Sequence, residues 1–120
     1  MRIKGRSKYH AKRVHLDGYL FDSQAEAKRY AELRLLEKAG HIRNLVVHPT
    51  FPIAINGTKV CTVIADFSFV DLSDEKSFST FGLTRVIDVK GLDLPISRLK
   101  RKLVAACCGI EIEVEKVKRG

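Results

Sequence analysis

Two aspartates stand where strand-like sequence normally excludes them. Asp66 interrupts the apolar run Val60-Cys-Thr-Val-Ile-Ala-Asp-Phe-Ser-Phe-Val70, and Asp88 lies in Arg85-Val-Ile-Asp-Val-Lys-Gly91, two positions before Lys90. Aspartate is depleted in strands because its short polar side chain competes with the backbone ladder, and burying an unpaired carboxylate is costly. Two such residues in neighbouring strands suggest an acidic site built to hold a metal. Strand side chains alternate faces, so Asp88 shares a face with Val86 and Lys90, about 7 Å along the strand. Asp66 shares its face with Ile64 and Ser68. If the strands pair, both acids converge near the lysine. Magnesium takes carboxylate oxygens and water, usually with few protein ligands. An ammonium beside such an ion suits a phosphate reaction, orienting or deprotonating water or neutralising charge on the phosphorus oxygens.

Each residue also has a plainer reading. Asp88 and Lys90 alone fit a surface ion pair of little energetic weight. Asp66, flanked by Ile64, Ala65, Phe67 and Phe69, fits a solvated role less well. Glu26 is the third candidate acid. Ser23-Gln-Ala-Glu26 matches a capping box, in which the glutamate reaches back to the first backbone N–H groups. Glu26 also lies one helical turn before Tyr30 and two before Leu33, so it can face a sheet; spacing does not choose between these roles. His10, His15, His41 and His48 have no partner at helical spacing and no cysteine nearby, which argues against zinc. His48-Pro49 reads as a loop histidine before a strand, with lining a site the alternative. No serine elbow and no glycine-rich phosphate loop is present.

The elements that would carry these residues can be read in order. Lys12 to Phe21 alternates and contains Asp17-Gly18, a hairpin-turn pair. Asp22-Ser23 opens a helix that runs to about Ala39 and stops at Gly40. Ile42 to Val47 and Phe51 to Ile55 read as strands, the latter ending at Asn56-Gly57, and Lys59 to Val70 should pair back antiparallel across that turn. Asp71 to Phe81 is a polar loop, and Thr84 to Lys90 the next strand. Pro95 to Cys108 is a helix with Ile96, Leu99, Leu103 and Ala106 at helical spacing. Ile110 to Val117 alternates as a last strand. The order is hairpin, helix, three strands, helix, strand. The Lys59 and Thr84 strands are central, being apolar on both faces apart from the acids. The fold class is therefore α/β, a mixed central sheet flanked by helices.

The 120 residues fit one domain, a basic arm over 1–12 followed by a single unit over 13–120. No stretch approaches a membrane span, and no apolar segment follows the charged N-terminus as a secretory signal would require. Cys61, Cys107 and Cys108 lack metal spacing and read as small core residues of a reducing cytoplasm. The net charge is +8 and the bases are clustered: Arg2, Lys4, Arg6, Lys8, Lys12 and Arg13 precede the first acid, and Arg98, Lys100, Arg101 and Lys102 follow the Asp-Val-Lys motif. A polyanion, most simply nucleic acid, is the expected partner.

Glu26 on the first long helix, Asp66 on one strand and Asp88-x-Lys90 on the next resemble the PD-(D/E)XK nuclease superfamily. More narrowly, Lys8-Tyr-His-Ala-Lys, Gly18-Tyr-Leu-Phe-Asp-Ser-Gln-Ala-Glu26, Leu33-x-x-Leu-Glu-Lys-Ala-Gly40 and Asp88-Val-Lys-Gly91 are similar to a family of small phage and prophage proteins related to phage Holliday-junction resolvases. The resemblance implies a restriction-endonuclease-like core. It implies that Glu26, Asp66, Asp88 and the carbonyl of Val89 hold Mg2+ (or Mn2+ as a substitute), with Lys90 the catalytic lysine. The activity implied is hydrolysis of DNA phosphodiesters, at four-way junctions or other branched DNA, by a homodimer in a bacterial or phage-infected cytoplasm. The alternatives are a nicking or restriction-like endonuclease of the same fold, and a non-catalytic nucleic-acid-binding module.

Overall fold

The computed structural model describes residues 12–72 and 83–117. Arg2, Lys4, Arg6 and Lys8 of the expected arm, and most of the expected loop after Asp71, lie outside the described residues. A hairpin opens the fold, β1 (Val14–Leu16) pairing antiparallel with β2 (Tyr19–Phe21). Helix α1 (Gln24–Lys38) follows, then β3 (Ile42–Val47), β4 (Thr50–Ile55), β5 (Thr58–Ile64), β6 (Phe67–Asp71), β7 (Leu83–Lys90), α2 (Pro95–Cys108) and β8 (Ile112–Lys116). The main sheet has the order β3-β6-β7-β8, antiparallel except for the parallel β7–β8 pair. The architecture is α/β with a mixed sheet and two helices.

Five strands separate the helices, where the expected order has three and the individual runs number four; the fifth arises at Ala65–Asp66, where the Lys59–Val70 run breaks. Its first half, β5, does pair back across Asn56-Gly57, where both residues have left-handed backbone (φ 52° and 78°) as a two-residue hairpin turn requires. That ribbon leaves the main sheet. Its second half, β6, crosses to pair with β3 and β7. A uniformly β-prone run conceals such a break, because only the partners on either side impose it.

The two sheet faces bury different clusters. Phe67, Phe69 and Ile87 pack with Phe21, Ala27, Tyr30 and Leu33 from the hairpin and α1. Ala65 and Val86 pack with Ile53, Val63, Val104 and Ile112 from the β4–β5 ribbon, α2 and β8. Helix α2 buries Val104 and packs Leu103 of the apolar stripe against the core, whereas Ile96 and Leu99 of that stripe are 54% and 52% exposed. Helical spacing marks an apolar face but does not say that it points at its own core. Cys107 and Cys108 are likewise exposed at the end of α2 rather than buried; Cys61 is half-buried.

Phe67 is the centre of the α1-side cluster, fully buried with its ring 6.1 Å from Phe21 and 6.4 Å from Tyr30. Phe67→Ala is expected to cost about 3–5 kcal/mol, read as a lower urea midpoint, because the surrounding rings can close only part of the space left.

Candidate active site

The site is built where the sheet forks. The last β6–β7 pair is Phe67 with Ile87, so Asp88, Val89 and Lys90 continue along β8 with nothing from β6 beside them. The backbone groups that lose a ladder partner there must find others. The two aspartates supply them. Asp66 Oδ2 accepts from the Val89 N–H at 2.6 Å, and Asp88 Oδ1 accepts from the Asp66 N–H at 3.0 Å. Asp66 therefore sits in the bend between β5 and β6, not in the middle of a strand. The turn after β3 fixes this bend from outside: the His48 N–H donates to the Asp66 carbonyl at 2.9 Å, and the Ala65 N–H donates to the Pro49 carbonyl at 3.0 Å.

Glu26 arrives from the first turn of α1. Ser23 caps that helix, its Oγ accepting from the Glu26 N–H at 3.1 Å, and Glu26 Oε2 accepts from the Asp22 N–H at 2.9 Å. The capping role is real, reaching one residue beyond the N-cap. Glu26 also lies on the buried face with Ala27, Tyr30 and Leu33, and its carboxyl hydrogen-bonds Asp66. Capping and membership of the acidic cluster are held together. Lys90 completes the group with Nζ 3.8 Å from Asp88 Oδ2.

The electrostatics follow from this crowding. Glu26 and Asp88 are each only 6% exposed. Burial first, then hydrogen bonding and repulsion from Asp66, pushes Glu26 up to about 9. Asp88 is also raised, by burial and by Asp66, while Lys90, the Asp66 N–H and Arg101 pull it back. Carboxylates packed this closely hold a proton or attract a cation. Their hard oxygen donors suit Mg2+ or Mn2+, and a divalent ion would replace the proton on Glu26. Among the described residues no three Asp, Glu, His or Cys side chains are already set around a metal position. The fit thus rests on donor chemistry and unbalanced buried charge, and metal binding would draw Asp66 and Glu26 partly away from the amides they now accept from.

Arg101, expected as a phosphate contact, is paired within the chain. Its guanidinium forms a bidentate pair with Asp93, at 2.9 and 2.6 Å, and its charge acts on Asp88. The pair ties α2 to the segment following Lys90. Arg98 and Lys102 instead line an open groove of about 650 Å³ with Ala105, Ala106 and Glu111, with Arg101 at its wall. Lys12, Arg13 and Lys100 are exposed. Sequence reading missed the Asp93–Arg101 pair, whose spacing across a helix start was its one signal. His48, read as a loop histidine with lining a site the alternative, has its backbone N–H on the Asp66 carbonyl, a proximity that depends on the strand break.

A family model described as "Protein of unknown function (DUF1064)" matches residues 6–115. The chain belongs to the DUF1064 family. No curated protein and no solved structure matches it. The segment that matches the DUF1064 model spans Glu26, Asp66, Asp88 and Lys90, along with both helices and nearly all of the main sheet.

Proposed function

We propose that this protein is a Mg2+-dependent DNA endonuclease of the PD-(D/E)XK kind, acting on branched DNA such as four-way junctions. The observation that carries the proposal is the gathering of Glu26, Asp66, Asp88 and Lys90 at the sheet fork from three separate segments. A merely structural ion pair would need one acid, not three. The element order, with β7 and β8 parallel across α2, is compatible with a restriction-endonuclease-like core.

Glu26, Asp66, Asp88 and the carbonyl of Val89 would hold the ion. When bound, it would supply a Lewis acid and charge neutralisation at the scissile phosphate. Lys90, on the same strand face as Asp88, orients or deprotonates the attacking water. In-line attack on phosphorus breaks the bond to the 3′ oxygen and leaves 5′-phosphate and 3′-hydroxyl ends. Symmetric cutting of a junction needs two such pockets, so the working form is a homodimer, measurable by sedimentation.

Synthetic four-way junction, duplex and flap substrates, with and without Mg2+, test the reading. Faster cutting of the junction only with the metal is the expected result. Equal rates on all three favour a nicking or restriction-like enzyme, and binding without any cutting favours a DNA-binding module. The basic groove makes a separate prediction. Arg98→Ala with Lys102→Ala should weaken binding uniformly across sequences and reduce the slope of log affinity against log salt by about 2, since each phosphate left without its cation removes roughly one from that slope. Arg101→Ala should instead lower thermal stability, since its partner is Asp93.

A further inference from the structure

The turn that clamps Asp66 contains a histidine whose ring packs on Phe21 and whose ring nitrogens no described residue hydrogen-bonds. His48 has left-handed backbone, φ 56°. The other non-glycine residues so placed among the described ones are Asp17, Asn44 and Asn56, types that adopt this conformation readily. His48 also precedes a proline, which itself disfavours helical backbone. A glycine would make the same N–H bond to Asp66 at lower conformational cost. Cost of this kind is retained where a side chain has work to do.

His48 lies between two segments that carry site acids. Its ring lies 5.8 Å from that of Phe21, and Phe21 leads into Asp22, whose N–H holds Glu26. One flank of His48 is thus tied to the backbone of Asp66 and the other packs on the segment carrying Glu26. The residue is half-buried, and no described residue hydrogen-bonds its ring nitrogens. Lys90 is contributed by a different element, β7.

We propose that His48 is a substrate ligand: its imidazole N–H donates a hydrogen bond to a phosphate oxygen of DNA lying over the Glu26–Asp66–Asp88 pocket. This rests on the nuclease reading for the identity of the substrate, and extends it to a residue on a different element. The role is that of a hydrogen-bond donor, so a neutral donor of similar reach can replace it.

Steady-state cleavage of a fluorescently labelled four-way junction with Mg2+ tests the assignment. His48→Ala should raise KM about tenfold, the scale of one hydrogen bond to a charged group, with kcat changed far less, as expected for an interaction made in both ground and transition states. His48→Gln should recover most of the loss. His48→Asn, which suits the backbone but is too short, should melt at or above the wild-type temperature and still show the raised KM. A wild-type KM for His48→Ala and His48→Asn would overturn the proposal, and so would a stable His48→Gln as impaired as His48→Ala. Junction affinity by fluorescence anisotropy, without Mg2+, reads the same interaction without cleavage. If the wild-type chain binds but does not cut, the nuclease reading fails, and the ligand role of His48 then stands or falls on a tenfold weaker dissociation constant for His48→Ala.

Discussion

Replacing Lys90 by alanine is expected to slow Mg2+-dependent cleavage of a four-way junction by about 10²–10³-fold, the usual cost of removing one positioned electrostatic group from a reaction centre. Its ammonium is half-buried and 3.8 Å from Asp88 Oδ2, beside a pocket that holds three carboxyl groups. Lys90→Arg should not restore activity, because a planar, forked guanidinium cannot reproduce the compact point charge and donor geometry of an ammonium. Junction affinity should change much less than rate, since the phosphate contacts proposed for Arg98 and Lys102 lie on α2, away from the β7 strand that carries Lys90. Single-turnover cleavage measured beside anisotropy separates the two. Undiminished cleavage would remove Lys90 from the chemistry.

The second large effect concerns stability. Glu26 has a folded-state pKa near 9 against an ordinary value of 4.5. Over that interval the native chain binds the proton that the unfolded chain has lost. Stability therefore falls as pH rises from about 4.5 through about 9, the opposite of the usual salt-bridged carboxylate. Glu26→Gln keeps the shape and has nothing to titrate. In EDTA it should melt several degrees above the wild-type chain at pH 8.5 and nearly level with it at pH 5. Mg2+ should stabilise the wild-type chain by mass action and have little effect on the variant, which should also lose cleavage. A stability gain paired with lost activity is the expected trade-off of a site that crowds like charges. Parallel melting curves across pH for the two proteins would show that Glu26 is not held protonated.

Much of the fold was legible because its signals are local. Asp17-Gly18 and Asn56-Gly57 dictate hairpin turns, Ser23 and Gly109 bracket helices, and β3 and α2 have the anticipated bounds. Features imposed by distant partners were not legible. The break at Ala65–Asp66 exists because Pro49 and His48 bond to those residues. The outward turn of Ile96 and Leu99 depends on where α2 meets the β4–β5 ribbon. The acids and the lysine were identifiable as oddities of residue type, and the structure brings them together. The sequence could not reveal that the aspartates also satisfy backbone amides, because that requires knowing where β6 ends.

Those amide bonds tie assembly of the pocket to completion of the sheet. Glu26 and Lys90 are 64 positions apart, and the bonds that seat Asp66 and Asp88 close only when β6 has docked on β7. A chain part-way there, with its helices and hairpins already formed, carries the acids but not the cluster. During refolding, the cutting expected of the proposed nuclease should therefore lag behind the return of the helical circular-dichroism signal.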